Sequence, residues 1–159
     1  MRVSFNGLEI GKRYDRPFLA RHWGYENHYA IAKGVLTPRG SNCIVLFITR
    51  EKDTGTQYDD YQYDDFIEGE FLYWEGEKRH RTDRRIVHVT DNGDEIHLFY
   101  REHRRTPFTY YGPVVLEDYQ LLTEEPSKFI FRISALRGTP NPLQDIEEHA
   151  DEIAHLEET

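Results

Sequence analysis

Apolar residues in this chain recur with a period of two, in short runs broken by turn signals, and this pattern constrains the fold more than any other feature. Residues 29–36 and 42–49 read as strands joined across Thr37-Pro38-Arg39-Gly40, where Pro and Gly suit a turn. Residues 69–74, 108–116 and 128–134 supply further strands. The sharpest local signal is Asp91-Asn92-Gly93-Asp94, flanked by Arg85–Thr90 and Glu95–Tyr100, and its Asn-Gly pair predicts a hairpin. In that hairpin Ile96, Leu98 and Tyr100 share one face. Seven or so strands at short spacing predict a mainly β (α+β) domain, a small twisted β-barrel or half-barrel.

Helical spacing occurs at two places. Asp15 can cap a short helix, Pro17 suits its first turn, Leu19, Ala20 and Trp23 form its apolar stripe, and Gly24 stops it. Near the other end, Asn141-Pro142 opens a stretch in which Leu143, Ile146, Ala150, Ile153 and Ala154 recur at helical spacing, with an acidic outer face. The expected organisation is therefore one domain over residues 1–138 and an acidic C-terminal helix or linker over 139–159.

The core must be built largely from rings, because only 38% of residues are hydrophobic while 14% are aromatic. No apolar run approaches the roughly 18 residues of a membrane span, and Met1–Phe5 lacks the apolar segment of a secretory signal. The single cysteine, Cys43, lies in an apolar run, where a buried thiol is expected. A reducing, cytoplasmic location is the expectation.

A net charge of −9 argues against a nucleic-acid partner until its distribution is considered. Residues 144–159 hold seven acidic residues and no Lys or Arg, leaving 22 of the 29 acids against 20 basic residues elsewhere. Within that nearly neutral body, Lys78, Arg79, Arg81, Arg84 and Arg85 cluster around one acid, Asp83, in what reads as a loop. A local cationic patch matters more for phosphate than the whole-chain sum.

Catalytic patterns are missing from the sequence. Eight histidines invite a metal, with His88 and His97 facing each other on the expected hairpin and His80 and His103 at its outer end. The chain nevertheless has no Cys pair and no His-Glu-x-x-His. There is no Gly-x-Ser-x-Gly elbow and no phosphate loop. Asp59, Asp60, Asp64 and Asp65 lack the Glu-x-Lys that accompanies a nuclease carboxylate, so a magnesium-dependent nuclease is the weaker reading. The expectation is a binding domain with no catalytic site, no metal and no cofactor.

From about Gly11 to Ser134 the chain resembles a bacterial and archaeal family long labelled a domain of unknown function. That family occurs at the ends of superfamily II helicases and joined to HNH endonucleases. The resemblance runs in order through Gly11-x-x-Tyr14-x-Arg16, Trp23-Gly24, Gly34-Val35, Tyr58-x-Asp60-Tyr61 and Phe71-x-Tyr73-Trp74. It continues through Gly93-x-x-Ile96-x-Leu98-Phe99-Tyr100-Arg101-Glu102 and Phe108-x-Tyr110-x-Gly112-Pro113. The family is regarded as PUA-like and related in shape to SRA domains, which read modified cytosine. The resemblance implies a curved sheet with a pocket for a base turned out of the duplex. Where the family tends to have Gln-Ser-Gln after the Trp, this chain has Glu75-Gly76-Glu77.

The residues suit that chemistry. Flipping a base costs a few kcal/mol, offset by stacking on rings and bonding to its Watson–Crick edge. Tyr58, Tyr61, Tyr63, Tyr73 and Trp74 supply rings, and Asp59, Asp60, Asp64 or Asp65 could accept from a cytosine N4 amine. Lys78, Arg79, Arg81, Arg84 and Arg85 are the expected phosphate contacts. The expected partner is double-stranded DNA carrying 5-methylcytosine or 5-hydroxymethylcytosine, with a fused or associated nuclease or helicase supplying the chemistry of a restriction system. In that reading the acidic helix is a linker towards the nuclease or a contact between two copies of the chain. The alternative is a protein-interaction module that docks a partner through the acidic helix.

Overall fold

The computed structural model describes residues 3–51 and 65–138. Eight strands form one sheet: β1 (Arg13–Tyr14), β2 (Val35–Leu36), β3 (Cys43–Thr49), β4 (Phe66–Glu68), β5 (Phe71–Glu75), β6 (Glu95–Arg101), β7 (Phe108–Gln120) and β8 (Lys128–Ile133). Their order is β2-β3-β6-β7-β8-β5-β4, with β1 beside the start of β7. The sheet ends on β2 and β4, so it is a curved, open sheet of the half-barrel kind and not a closed barrel. The acidic segment expected to be helical, and the whole of 139–159, lies outside the described residues.

Every pairing is antiparallel except β3 with β6, which run parallel from Cys43↔Glu95 to Thr49↔Arg101. Parallel neighbours are covered on both faces and carry near-continuous apolar sequence. All seven residues of β3 are buried accordingly. Ile44, Leu46 and Ile48 face a core with Leu72, Trp74, Phe129 and Phe131, while Val45 and Phe47 face Leu19, Trp23, Phe99 and Phe108. The second core is closed by α1 (Arg16–His22), which begins as expected: Asp15 Oδ1 accepts the Phe18 N–H at 2.8 Å, and Pro17 stands in the first turn. Two register shifts bend the long β7, one opposite Leu98/Phe99 and one at Leu116/Asp118, so one strand serves both cores.

The expected Asn-Gly hairpin does not form. Residues before the turn fold as two short helices, α2 (Asp83–Val87) and α3 (Val89–Asn92), and Gly93 is the left-handed cap of α3, with φ 70°. Ile86 and Val89 fit a helical stripe as well as a strand, and both are buried. Burying one such side chain stabilises by about 1.5–3 kcal/mol, which exceeds the span of roughly 1 kcal/mol in strand preference. Glu95–Arg101 does form a strand, but its neighbours are β3 and β7. His88 therefore does not face His97; it pairs with Asp91 on the surface. The strand expected over 29–36 is also shorter, since His28–Ile31 is a 3-10 turn and only Val35–Leu36 pair. The basic segment, expected as a loop through Arg85, is a loop only as far as Thr82. No helix of the described residues is long and apolar enough to cross a membrane.

Candidate nucleic-acid interface

Four separate stretches of the chain line an open cavity of about 470 Å³. Gly34, Val35 and Phe47 supply one part from β2 and β3, Asp65 enters just before β4, and the rest runs from Trp74 at the end of β5 to Arg81. Trp74 is buried against Phe129 and Phe131, with ring centroids 5.4 and 6.2 Å away, and this packing fixes the part of the indole that lines the cavity. Asp65 is only 4% exposed, and its Oδ1 accepts the Glu75 N–H at 2.9 Å. Glu75 brings a second carboxylate, whose Oε2 is buried and meets no donor among the described residues.

The cationic rim is a loop held from several sides. The Gly76 N–H donates to Ser127 O at 2.8 Å, and a Cβ on Gly76 would lie 2.9 Å from Phe129 Cε2 and 3.1 Å from Asp83 Oδ1, so only glycine permits this approach. The Thr82 hydroxyl donates to Glu77 Oε1 at 2.6 Å, and the His80 N–H donates to Glu77 O at 3.0 Å. His80 holds φ 57°, a strained value for a side-chain-bearing residue, with its Nδ1 2.8 Å from Asp83 Oδ2. Lys78, Arg79 and Arg81 are exposed on this loop. A pinned loop presents its cations with less ordering cost than a free one.

Of the residues singled out in the sequence, Asp65, Trp74, Lys78, Arg79 and Arg81 come together in the cavity. Tyr73 lines a neighbouring groove of about 330 Å³ and stacks on Phe66 at 4.8 Å. Arg84 is exposed on α2, away from the cavity lining. Arg85 is held by the fold: it reaches both oxygens of buried Asp94 at 2.9 and 3.0 Å and donates to Ser41 O. Tyr58, Asp60, Tyr61 and Tyr63, with Asp59 and Asp64, lie outside the described residues.

In the sequence Glu75 stands out only as a departure from the family pattern. Its signal was present, as an acid at the end of an apolar aromatic strand. Phe47 carried no such signal, because it sits in an apolar run and its place on the wall depends on how β3 is packed. Among the described residues no group of three or more His, Cys, Asp or Glu is arranged to hold a metal ion.

No protein-family model and no curated protein sequence matches the chain. Solved structures do. The SRA domain of SUVH5 in complex with fully methylated CG DNA is similar with a TM-score of 0.52 and 13% identity, over 89% of this chain and 98% of that one. The same domain bound to methylated CHH DNA gives a TM-score of 0.51 and 12% identity, over 89% and 97%. At such identity the likeness is one of fold, an SRA-like arrangement of sheet and short helices.

Proposed function

We propose that this domain binds DNA and holds a modified base, turned out of the duplex, in the cavity between Phe47, Asp65 and Trp74. The observation that carries the reading is the convergence of a buried carboxylate, an indole and a pinned cationic loop on one cavity. Its size falls in the roughly 300–1,000 Å³ range of small-molecule sites, ample for a single base. SRA domains of this fold have been captured on methylated DNA, which supports the same class of ligand here.

The chemistry of each part follows. Trp74 offers a surface for a base, and stacking of this kind contributes about 1–3 kcal/mol. Ionised carboxylates only accept hydrogen bonds, so Asp65 and Glu75 favour a base that presents an exocyclic amine over one that presents a carbonyl at that position. Cytosine modified at C5 meets that demand. Arg79, Arg81 and Lys78 line the same cavity, which supports a role for them in holding the phosphates that flank the flipped nucleotide. The domain recognises and leaves the chemistry to a nuclease or helicase partner, as in a modification-dependent restriction system.

Affinities for matched duplexes carrying cytosine, 5-methylcytosine or 5-hydroxymethylcytosine test the proposal. A preference for one modified duplex is expected, and equal affinity for all three would sink it.

A further inference from the structure

Arginines of the described chain that lie partly within the fold generally have acidic partners. Arg85 has Asp94, and Arg132 has Glu70 and Glu117. Arg16 and Arg101 differ. Neither forms a salt bridge among the described residues, yet both are partly buried against the same ring. The guanidinium carbons of Arg16 and Arg101 lie 4.8 and 4.2 Å from the centroid of Phe108, and Arg16 also lies 4.9 Å from that of Phe47.

Their hydrogen bonding is incomplete. Arg16 donates to Lys33 O at 3.2 Å, while its Nε–H is buried without an acceptor among the described residues. Arg101 donates to Thr49 Oγ1 at 2.8 Å and Thr106 O at 3.0 Å. Each guanidinium carries five donors, so most of this capacity is unused. Burial, then the charge of Arg101, pushes the Arg16 pKa down to about 10, and burial, then Arg104, lowers that of Arg101. Cation–π contact returns about 0.5–2 kcal/mol per pair but neutralises no charge. Two neighbouring, partly desolvated cations without a counter-ion among the described residues therefore make a site for an external anion.

The position indicates which anion. Phe47, under Arg16, lines the cavity, and Lys33, whose carbonyl Arg16 bonds, precedes the cavity residue Gly34. We propose that Arg16 and Arg101 form a second DNA phosphate contact, on the β2–β3 side of the cavity and separate from the Lys78–Arg81 loop. An arginine stacked on a ring keeps its edge N–H groups available, and their planar fork matches phosphate oxygens. The proposal rests on the DNA-binding reading above, but not on the identity of the base.

The test uses the full chain and an unmodified duplex beside its modified counterpart, over a range of salt. R16Q and R101Q are each expected to weaken both duplexes by the same factor and to reduce the salt slope by about 1. A folded variant with unchanged affinity and slope overturns the site. Should a variant fail to fold, the Arg Nε–H resonances of the wild-type chain are followed while unmodified duplex is added. Both are expected to shift, and resonances unmoved at saturation overturn the proposal equally. Loss of slope without any preference for modified DNA would leave this site standing while the cavity reading falls.

Discussion

Asp65 and Glu75, ten positions apart, are joined by a hydrogen bond from the Glu75 N–H to Asp65 Oδ1 at 2.9 Å, which sets two carboxylates in one cavity. Each has a separable consequence. Asp65→Ala leaves a backbone N–H without its acceptor, at a cost of about 1–3 kcal/mol of stability. Asp65→Asn keeps an acceptor for that N–H while presenting a donor as well. It is expected to fold with a smaller loss yet to forfeit about 1–3 kcal/mol of discrimination for an amino base over a keto base. Thermal melts beside duplex affinities check this, and an Asp65→Asn protein with full preference would contradict it.

Glu75→Gln should change which base is accepted. An amide offers a donor where the carboxylate offers none, so the variant loses affinity for an amino base and gains relative affinity for a keto base such as 5-methyluracil. Competition between duplexes differing at one base measures the shift. Unchanged ranking would remove Glu75 from the recognition surface.

Arginines of the basic segment divide into two kinds. Arg79→Ala and Arg81→Ala should lower affinity for all duplexes alike, reduce the salt slope by about 1 each and leave stability unchanged. Arg85→Ala should instead destabilise the fold by about 3 kcal/mol, because it strands the buried Asp94 carboxylate. A denaturant titration of the three variants separates the groups.

Gly76→Ala drives a methyl against the Phe129 ring and the Asp83 carboxylate. Overpacking of this kind costs about 1–3 kcal/mol, and here the strain can be relieved by shifting the cationic loop. DNA affinity should therefore fall even under conditions where the protein remains fully folded. Wild-type affinity in a destabilised but folded Gly76→Ala protein would show that the loop position is irrelevant.

His97 makes stability depend on pH. It is buried, stacked on Phe5 at 3.5 Å, with Nδ1 2.8 Å from the Tyr110 hydroxyl. Burial lowers its pKa below 6.5, although Glu95 pulls the other way. The unfolded chain therefore binds the proton first as pH falls. Stability from this group is present above pH 6.5 and is lost as pH falls from there through the lower folded-state pKa. Urea midpoints between pH 7.5 and 5 should show a loss in the wild type that is reduced in His97→Gln.

Much was legible locally. The Asp15 cap and Pro17 located α1, the apolar run 43–49 located β3, and the cationic segment after Trp74 located the rim of the cavity. These signals depend on neighbours within one or two turns of chain, which is why residue order alone carries them. The Asn-Gly signal misled because a period of two over five residues does not exclude a helical stripe, and the buried positions of Ile86 and Val89 favoured the helix.

Sequence by itself determined a ring-rich, mainly β domain, its first helix, and the carboxylate, indole and cationic residue types that line the cavity. Tertiary structure alone decided the parallel pairing of β3 with β6, the gathering of Phe47, Asp65 and Trp74 around one cavity, and the assignment of Arg85 to Asp94. The physical reason is that strand pattern specifies which face is buried but not which strand lies alongside. Partners are selected by burial and backbone pairing summed over the whole sheet, and the cavity forms where separate stretches of the chain meet.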